Sequence, residues 1–187
     1  MGTHTRSFTP DDILELEGPD GVGGYDLVDG QLVPVSPASA IHGRLIVEVA
    51  ARLWAHVRQA GLTGTVYADA SFVLRLPHDP DRVRSPDVSY VAREKVEAHR
   101  DPERIFGCVP DLAVEIDLMS KKNPGGQQRI VDYLTAGVPL VWAIDPHTST
   151  AMAYRPDGSA RLLRTGDALD GEEVVAGFRL PLEELFG

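Results

Sequence analysis

Two short stretches, Ser85-Pro-Asp-Val-Ser-Tyr-Val91 and Pro110-Asp-Leu-Ala-Val-Glu-Ile116, carry the architecture of this chain. Both are rich in β-branched and aromatic residues and read as strands. Each also contains a carboxylate: Asp87 where a strand begins after a proline, and Glu115 in the middle of an otherwise apolar strand. Working upstream, Thr65 to Leu76 is a second β-rich stretch, joined to Val83–Val91 by the turn Pro77-His-Asp-Pro-Asp81. From Ala40 to Ala60, Ile41, Leu45, Val49, Leu53 and Val57 recur every four residues, with Ile46 and Trp54 beside them. That period predicts an amphipathic helix, which Gly61 ends. Both Trp54 and Trp142 are expected to pack in the core. Nearer the N-terminus, Thr9-Pro10-Asp11-Asp12 opens a short helix and Gly18–Gly24 supplies a turn. Tyr25–Leu27 and Leu32–Val35 flank Asp29-Gly30 as a hairpin. Downstream, a charged loop follows Val91, and Leu112–Leu118 is a buried strand. Gln127–Ala136 is a helix stopped by Gly137, and Leu140–Ile144 is a core strand. Ala151–Tyr154 and Ala160–Leu163 form a hairpin, and Leu182–Phe186 a closing helix. Mixed helices and local hairpins make this an α+β domain around a curved, mostly antiparallel sheet.

Composition sets the outer limits. With 187 residues, 43% of them hydrophobic, the chain has enough apolar material for one substantial core. We expect a single domain over residues 8–186, with residues 1–7 a disordered or tag-like terminus. The polar start and the shortness of every apolar run point to a cytoplasmic protein without a membrane partner. A single cysteine, Cys108, excludes a disulfide framework and a cysteine-based zinc cluster. Against 18 basic residues stand 28 acidic ones, a net charge of −10, which opposes non-specific binding to phosphate backbones. DNA as a partner is disfavoured by that balance, though a bound divalent metal reverses the field locally.

Asp87 and Glu115 are the residues that carry chemistry. A buried carboxylate needs a cation, a metal or hydrogen-bond donors beside it. If their strands are neighbours, the two could share one Mg²⁺ or Mn²⁺, ions that take oxygen ligands and keep waters able to attack phosphorus. The competing reading makes them structural acids, one at a strand end and one paired to an arginine. His42 faces inward with Leu45 and Val49. His78, His99 and His147 sit in polar loops without ligand spacing.

Seven stretches in order resemble one family. They are Tyr25-Asp-Leu-Val-Asp-Gly30, Val35-Ser-Pro37 with His42, Ser85–Tyr90, Pro110–Glu115, Tyr133-Leu-Thr-Ala-Gly-Val-Pro139, Val141-Trp-Ala-Ile-Asp-Pro146, and Phe178-Arg-Leu-Pro-Leu-Glu-Glu-Leu-Phe186. Together they resemble the Uma-type family of bacterial restriction endonuclease-like proteins, in the PD-(D/E)XK nuclease superfamily. The resemblance implies a restriction endonuclease-like fold, a central sheet flanked by helices, with a Mg or Mn site. It implies that Asp87 and Glu115 are metal ligands and that the backbone carbonyl of Ile116 is a third. It places His42 near the site and implies a homodimer.

The departures from the family pattern fall on the catalytic cation. The superfamily's lysine would stand two residues after Glu115, where this chain has Asp117. The family's shifted lysine, four residues before Tyr133, is here Arg129. Arginine keeps the charge but cannot serve as a base near neutrality. Asp117 is expected to add a third carboxylate, and a further metal ligand, to the Glu115 face, with Asp111 further along it. Lys121 and Lys122 are candidate replacement cations or a solvated basic loop. The family's hairpin glutamate is Asp26, and a commonly present downstream aspartate is Gly125. These residues imply a metal-dependent nuclease in which Asp87, Glu115, Arg129 and His42 act. The alternative is a catalytically silent relative serving as a binding or assembly module.

Overall fold

The computed structural model describes residues 7–16, 24–35, 39–117 and 125–187. Helix α1 (Pro10–Ile13) is opened by a capping box between Thr9 and Asp12. Strands β1 (Tyr25–Val28) and β2 (Gln31–Pro34) form the predicted hairpin. Its Asp29 and Gly30 both have positive φ, 50° and 72°, the pairing a tight hairpin turn demands. Helix α2 (Ala40–Gln59) is capped by Ser39 and stops at Gly61 (φ 66°), where the Leu62 N–H returns to the Val57 carbonyl at 3.0 Å. Strands β3 (Thr65–Ala68), β4 (Phe72–Val73), β5 (Val83–Arg84) and β6 (Val88–Val91) follow. The expected charged loop contains α3 (Arg93–Ala98). Then come β7 (Leu112–Ile116), α4 (Gly126–Thr135), β8 (Leu140–Asp145), β9 (Thr150–Tyr154) and β10 (Ala160–Leu163). A small ribbon of β11 (Ala168–Asp170) and β12 (Arg179–Pro181), absent from the sequence reading, precedes α5 (Leu182–Phe186).

The strands make a six-stranded sheet in the order β10-β9-β8-β7-β6-β3, a four-stranded sheet β2-β1-β5-β4 and the two-stranded ribbon. Among the described strands β7 and β8 alone pair in parallel; α4 supplies the crossover between them. The α+β reading with a mostly antiparallel mixed sheet therefore holds. Alternation along β7 and β8 divides the core in two. Leu112, Val114, Ile116, Leu140, Trp142 and Ile144 pack with Leu45, Val49, Leu53 and Val57 of α2. Ala113, Val141 and Ala143 pack on the other face with Ile130 and Tyr133 of α4 and with Phe72 and Phe106. Trp142 is fully buried and stacks on Phe178 at 5.8 Å. Trp54 does not pack in the core: it is 56% exposed, with the Arg58 guanidinium 5.7 Å from its ring centre. One residue past Leu53 is a rotation of about 100° around a helix, enough to turn Trp54 away from the buried stripe. Among the described residues no helix is long and apolar enough to cross a membrane.

Candidate metal centre

Register brings the two acids together. In the antiparallel β6–β7 ladder Val88 faces Val114, so the next rung sets Asp87 opposite Glu115. One step past the β3–β6 ladder, where Ala68 faces Val88, Asp69 takes the place opposite Asp87. Three carboxylate positions thus lie in one row at one end of the sheet. The rung is fastened where β7 ends, because the Ile116 N–H donates to Asp87 Oδ2 at 2.6 Å. Asp69 was not singled out in the sequence. It lies one residue past the end of β3, with φ 52°, and only its backbone pairing to Asp87, whose carbonyl accepts from the Asp69 N–H at 3.3 Å, brings it beside the site. Burial first, and then the charge of Asp87, raise its pKa.

His42, in the first turn of α2, places Nε2 3.0 Å from Asp87 Oδ1. That contact is the main reason its pKa is raised, against burial, with Asp117 and Asp69 adding smaller attractions. Glu115 is 3% exposed; its Oε1 accepts from Arg129 Nε at 2.9 Å and the Tyr133 hydroxyl at 2.6 Å, and Arg129 Nη2 pairs with it at 2.8 Å. Both donors come from α4, four residues apart, one turn on the same helix face. The reading of Glu115 as an acid paired to an arginine is therefore realised in the structure, and Arg129 is that arginine.

Arg129 is also the end of a chain that the sequence did not reveal. Asp79, Arg82, Asp132, Arg84, Asp26, Arg129 and Glu115 are linked in that order by ion pairs, acid alternating with base. These seven are the buried charged residues among the described ones. Asp132 Oδ2 alone receives Arg82 Nη1 at 3.0 Å, Arg84 Nε at 2.9 Å and Arg84 Nη2 at 2.6 Å. Four carboxylates against three guanidinium groups leave one excess negative charge, and Glu115 is where it is relieved. Burial raises its pKa to about 7, offset by Arg129 and reinforced by the charge of Asp87.

That shift has a sign that can be measured. With its folded pKa near 7 against an ordinary 4.5, Glu115 keeps a proton in the folded state that the unfolded chain has released. Its contribution is present below the unfolded value and lost as pH rises through 7, up to roughly 3 kcal/mol in all. His42, also raised, acts in the same direction, its contribution falling away as pH rises through its folded pKa. Urea unfolding between pH 5 and pH 8 should show declining stability, and Glu115→Gln should flatten most of the decline. A stability that rises across this range would refute the protonated-network account.

Two expectations about carboxylates are corrected. Asp117 does not extend the Glu115 face: the strand ends at Ile116 and Asp117 turns to φ 57°, breaking the two-residue alternation. Its carboxylate instead lies 3.1 Å from His147 Nε2, which gives that loop histidine a partner. Asp111 belongs to the other end of β7, held by Lys95 Nζ at 2.8 Å and the Ala92 N–H at 2.7 Å. Among the described residues no three His, Cys, Asp or Glu side chains are grouped to hold a metal ion. Lys121, Lys122 and the stretch from Leu118 to Ser120 lie outside the described residues, as do Ser36-Pro37, the Gly18–Gly23 part of the first turn and residues 1–6. Asp87 and Glu115, at facing positions of one rung, offer hard oxygens, the donor type that suits Mg²⁺ or Mn²⁺. His42 and Arg129 now neutralise the two carboxylates from either side. In donor chemistry the residues present therefore suit a divalent cation.

A mixed, mostly antiparallel sheet flanked by helices places the fold in the restriction endonuclease-like class. The chain belongs to the Uma2 family, whose model, described as "Putative restriction endonuclease", matches residues 10–183. The fold is similar to the crystal structure of "a putative nuclease belonging to DUF820" from Anabaena variabilis. The TM-score is 0.76 at 17% identity, covering 96% of this chain and 97% of that one. No curated protein matches.

Proposed function

We propose that the protein is a divalent-metal-dependent nuclease that hydrolyses phosphodiester bonds in DNA, with an altered cation at its centre. Family membership supports the reaction class. The observation that carries it to particular residues is the rung joining Asp87 and Glu115, with Arg129 from α4 on Glu115. Asp87, Glu115 and the carbonyl of Ile116 would hold Mg²⁺ or Mn²⁺. Once bound, such an ion supplies an activated water and a Lewis acid for a phosphoryl oxygen. Arg129 fixes the orientation of Glu115, Tyr133 shares that oxygen, and His42 brings a raised pKa and a transferable proton beside Asp87. The same reading takes residues 8–186 as one domain, working in the cytoplasm as a homodimer.

A second reading is favoured by one specific feature. Arg129 is 7% exposed, and its guanidinium is spent on Glu115, Asp26, the Ser85 carbonyl at 2.6 Å and Tyr133. Little of it is left for a phosphate, which suits a binding or assembly module built on the same fold. Cleavage assays on plasmid and single-stranded DNA separate the two. Wild-type protein with Mn²⁺ or Mg²⁺ should cut, and Asp87→Ala should lower the rate at least about a hundredfold, since it removes a metal ligand. Equal cutting by the variant would assign the activity to a contaminant. No cutting by wild type, with metal bound, would favour the binding module.

A further inference from the structure

We infer that Asp26 provides a second seat for Arg129, so that the guanidinium moves from Glu115 onto the free oxygen of Asp26 when a divalent cation takes Glu115. The inference rests on the metal site proposed above. Glu115 Oε1 has both Nε and Nη2 of Arg129 within 2.9 Å. A divalent cation drawn to that carboxylate meets a like charge at contact distance, and repulsion between them in a buried site is strong. Arg129 cannot escape to water from a position only 7% exposed. It needs another acceptor within the protein.

Asp26 is that acceptor. Its carboxylate is 3% exposed, and its two oxygens are used unequally. Oδ2 accepts from both Arg129 Nη1 and Arg84 Nη1, the latter at 2.8 Å. Oδ1 is buried and has no hydrogen-bond partner. An orphaned carboxylate oxygen in the interior is costly, and the structure normally finds it a use. A guanidinium and a carboxylate form two parallel hydrogen bonds when aligned edge to edge. Arg129 already makes one of them. Turning the guanidinium by one fork position completes the pair on Asp26, satisfies Oδ1 and releases Glu115 Oε1, with no charge leaving the interior. A lysine ammonium, a point donor, has no fork to complete.

The test measures metal binding rather than activity. Mn²⁺ is titrated calorimetrically into the wild type, Asp26→Asn, Arg129→Lys and the double variant, each first checked for cooperative melting. Asp26→Asn removes the same charge in both backgrounds, so its simple Coulombic effect on Mn²⁺ is common to both. The fork exists only where residue 129 is arginine. The expected result is that Asp26→Asn weakens Mn²⁺ binding about tenfold more in the wild-type background than in the R129K background. An equal loss in both overturns the exchange while leaving the metal site intact. No Mn²⁺ binding in any of the four overturns the metal site and the exchange together. A measurement on the unaltered protein guards against a variant that fails to fold. On saturation with diamagnetic Mg²⁺, the ¹⁵Nε–¹H resonance of Arg129 should move as its bond to Glu115 is broken. A resonance that stays in place while the Asp87 backbone signal reports binding also overturns the exchange.

Discussion

Replacing Asp132 by alanine is expected to destabilise the protein by about 3–5 kcal/mol, the cost of leaving buried charge without its partner. Asp132 is 1% exposed and is the only link between Arg82 and Arg84 in the ion-pair chain. Its other oxygen also accepts from Gln128 Nε2 at 2.9 Å, which ties the base of α4 into the same cluster. Without it, two guanidinium groups 3% and 5% exposed face each other across a cavity. Arg82 retains Asp79 and the more exposed Asp29, and Arg84 retains Asp26, so collapse is not complete. The melting temperature should fall by on the order of 10 °C for a domain of this size. Asp132→Asn, which keeps an acceptor in place, should lose less. A fall of under about 1 kcal/mol for the alanine variant would mean that solvent reaches the arginines and that the network is not the brace proposed here.

Arg129 gives the second large effect, and it separates stability from chemistry. Arg129→Ala should cost a similar 3–5 kcal/mol or so, because it takes the ion-pair partner from Glu115, leaving it Tyr133 alone, and one of the two arginines from Asp26. Arg129→Lys keeps the charge and should cost roughly 1–2 kcal/mol for the lost hydrogen bonds to charged groups. The same variant frees the Ser85 carbonyl and Tyr133 from a rigid planar group and puts a compact, orientable ammonium beside Glu115. Metal-dependent DNA cutting should then rise by tenfold or more, about 1.4 kcal/mol of transition-state stabilisation. Single-turnover cleavage by the wild type and Arg129→Lys, with melting curves on the same samples, measures both. Lower activity in the lysine variant would show that the arginine is adapted to its task and is no lesion. Asp117→Lys is the weaker experiment, because position 117 leaves the strand and its side chain turns to His147.

The limits of sequence reading show at particular residues. Asp29-Gly30, Gly61 and Gly137 announce turns because few other residues tolerate positive φ, and each does take it. The four-residue stripe of α2 found its buried face, yet the same pattern misplaced Trp54, since a large apolar side chain one step off the stripe has nowhere to pack. Asp117 was misread for a related reason. Alternation holds only while the strand lasts, and nothing in Glu115-Ile116-Asp117 says that the strand ends between the last two. Asp69 went unnoticed because its chemistry depends on facing Asp87 in a register that spans two strands.

By itself the sequence determined the order of the main elements, the α+β class, Asp87 and Glu115 as candidate partners, and the replacement of the expected lysine by Arg129. Those are local or pattern-level properties, written in periodicity, turn residues and motif order. Only the tertiary structure decided what Arg129 is bonded to, that Asp79, Arg82, Asp132, Arg84 and Asp26 continue from it as one buried chain, and that Asp26 holds an unused oxygen at its side. Ion pairs between residues as far apart as Asp26 and Arg129 leave no local trace. Their strength comes from desolvation, and desolvation exists only once the hairpin, the sheet and α4 have closed around them.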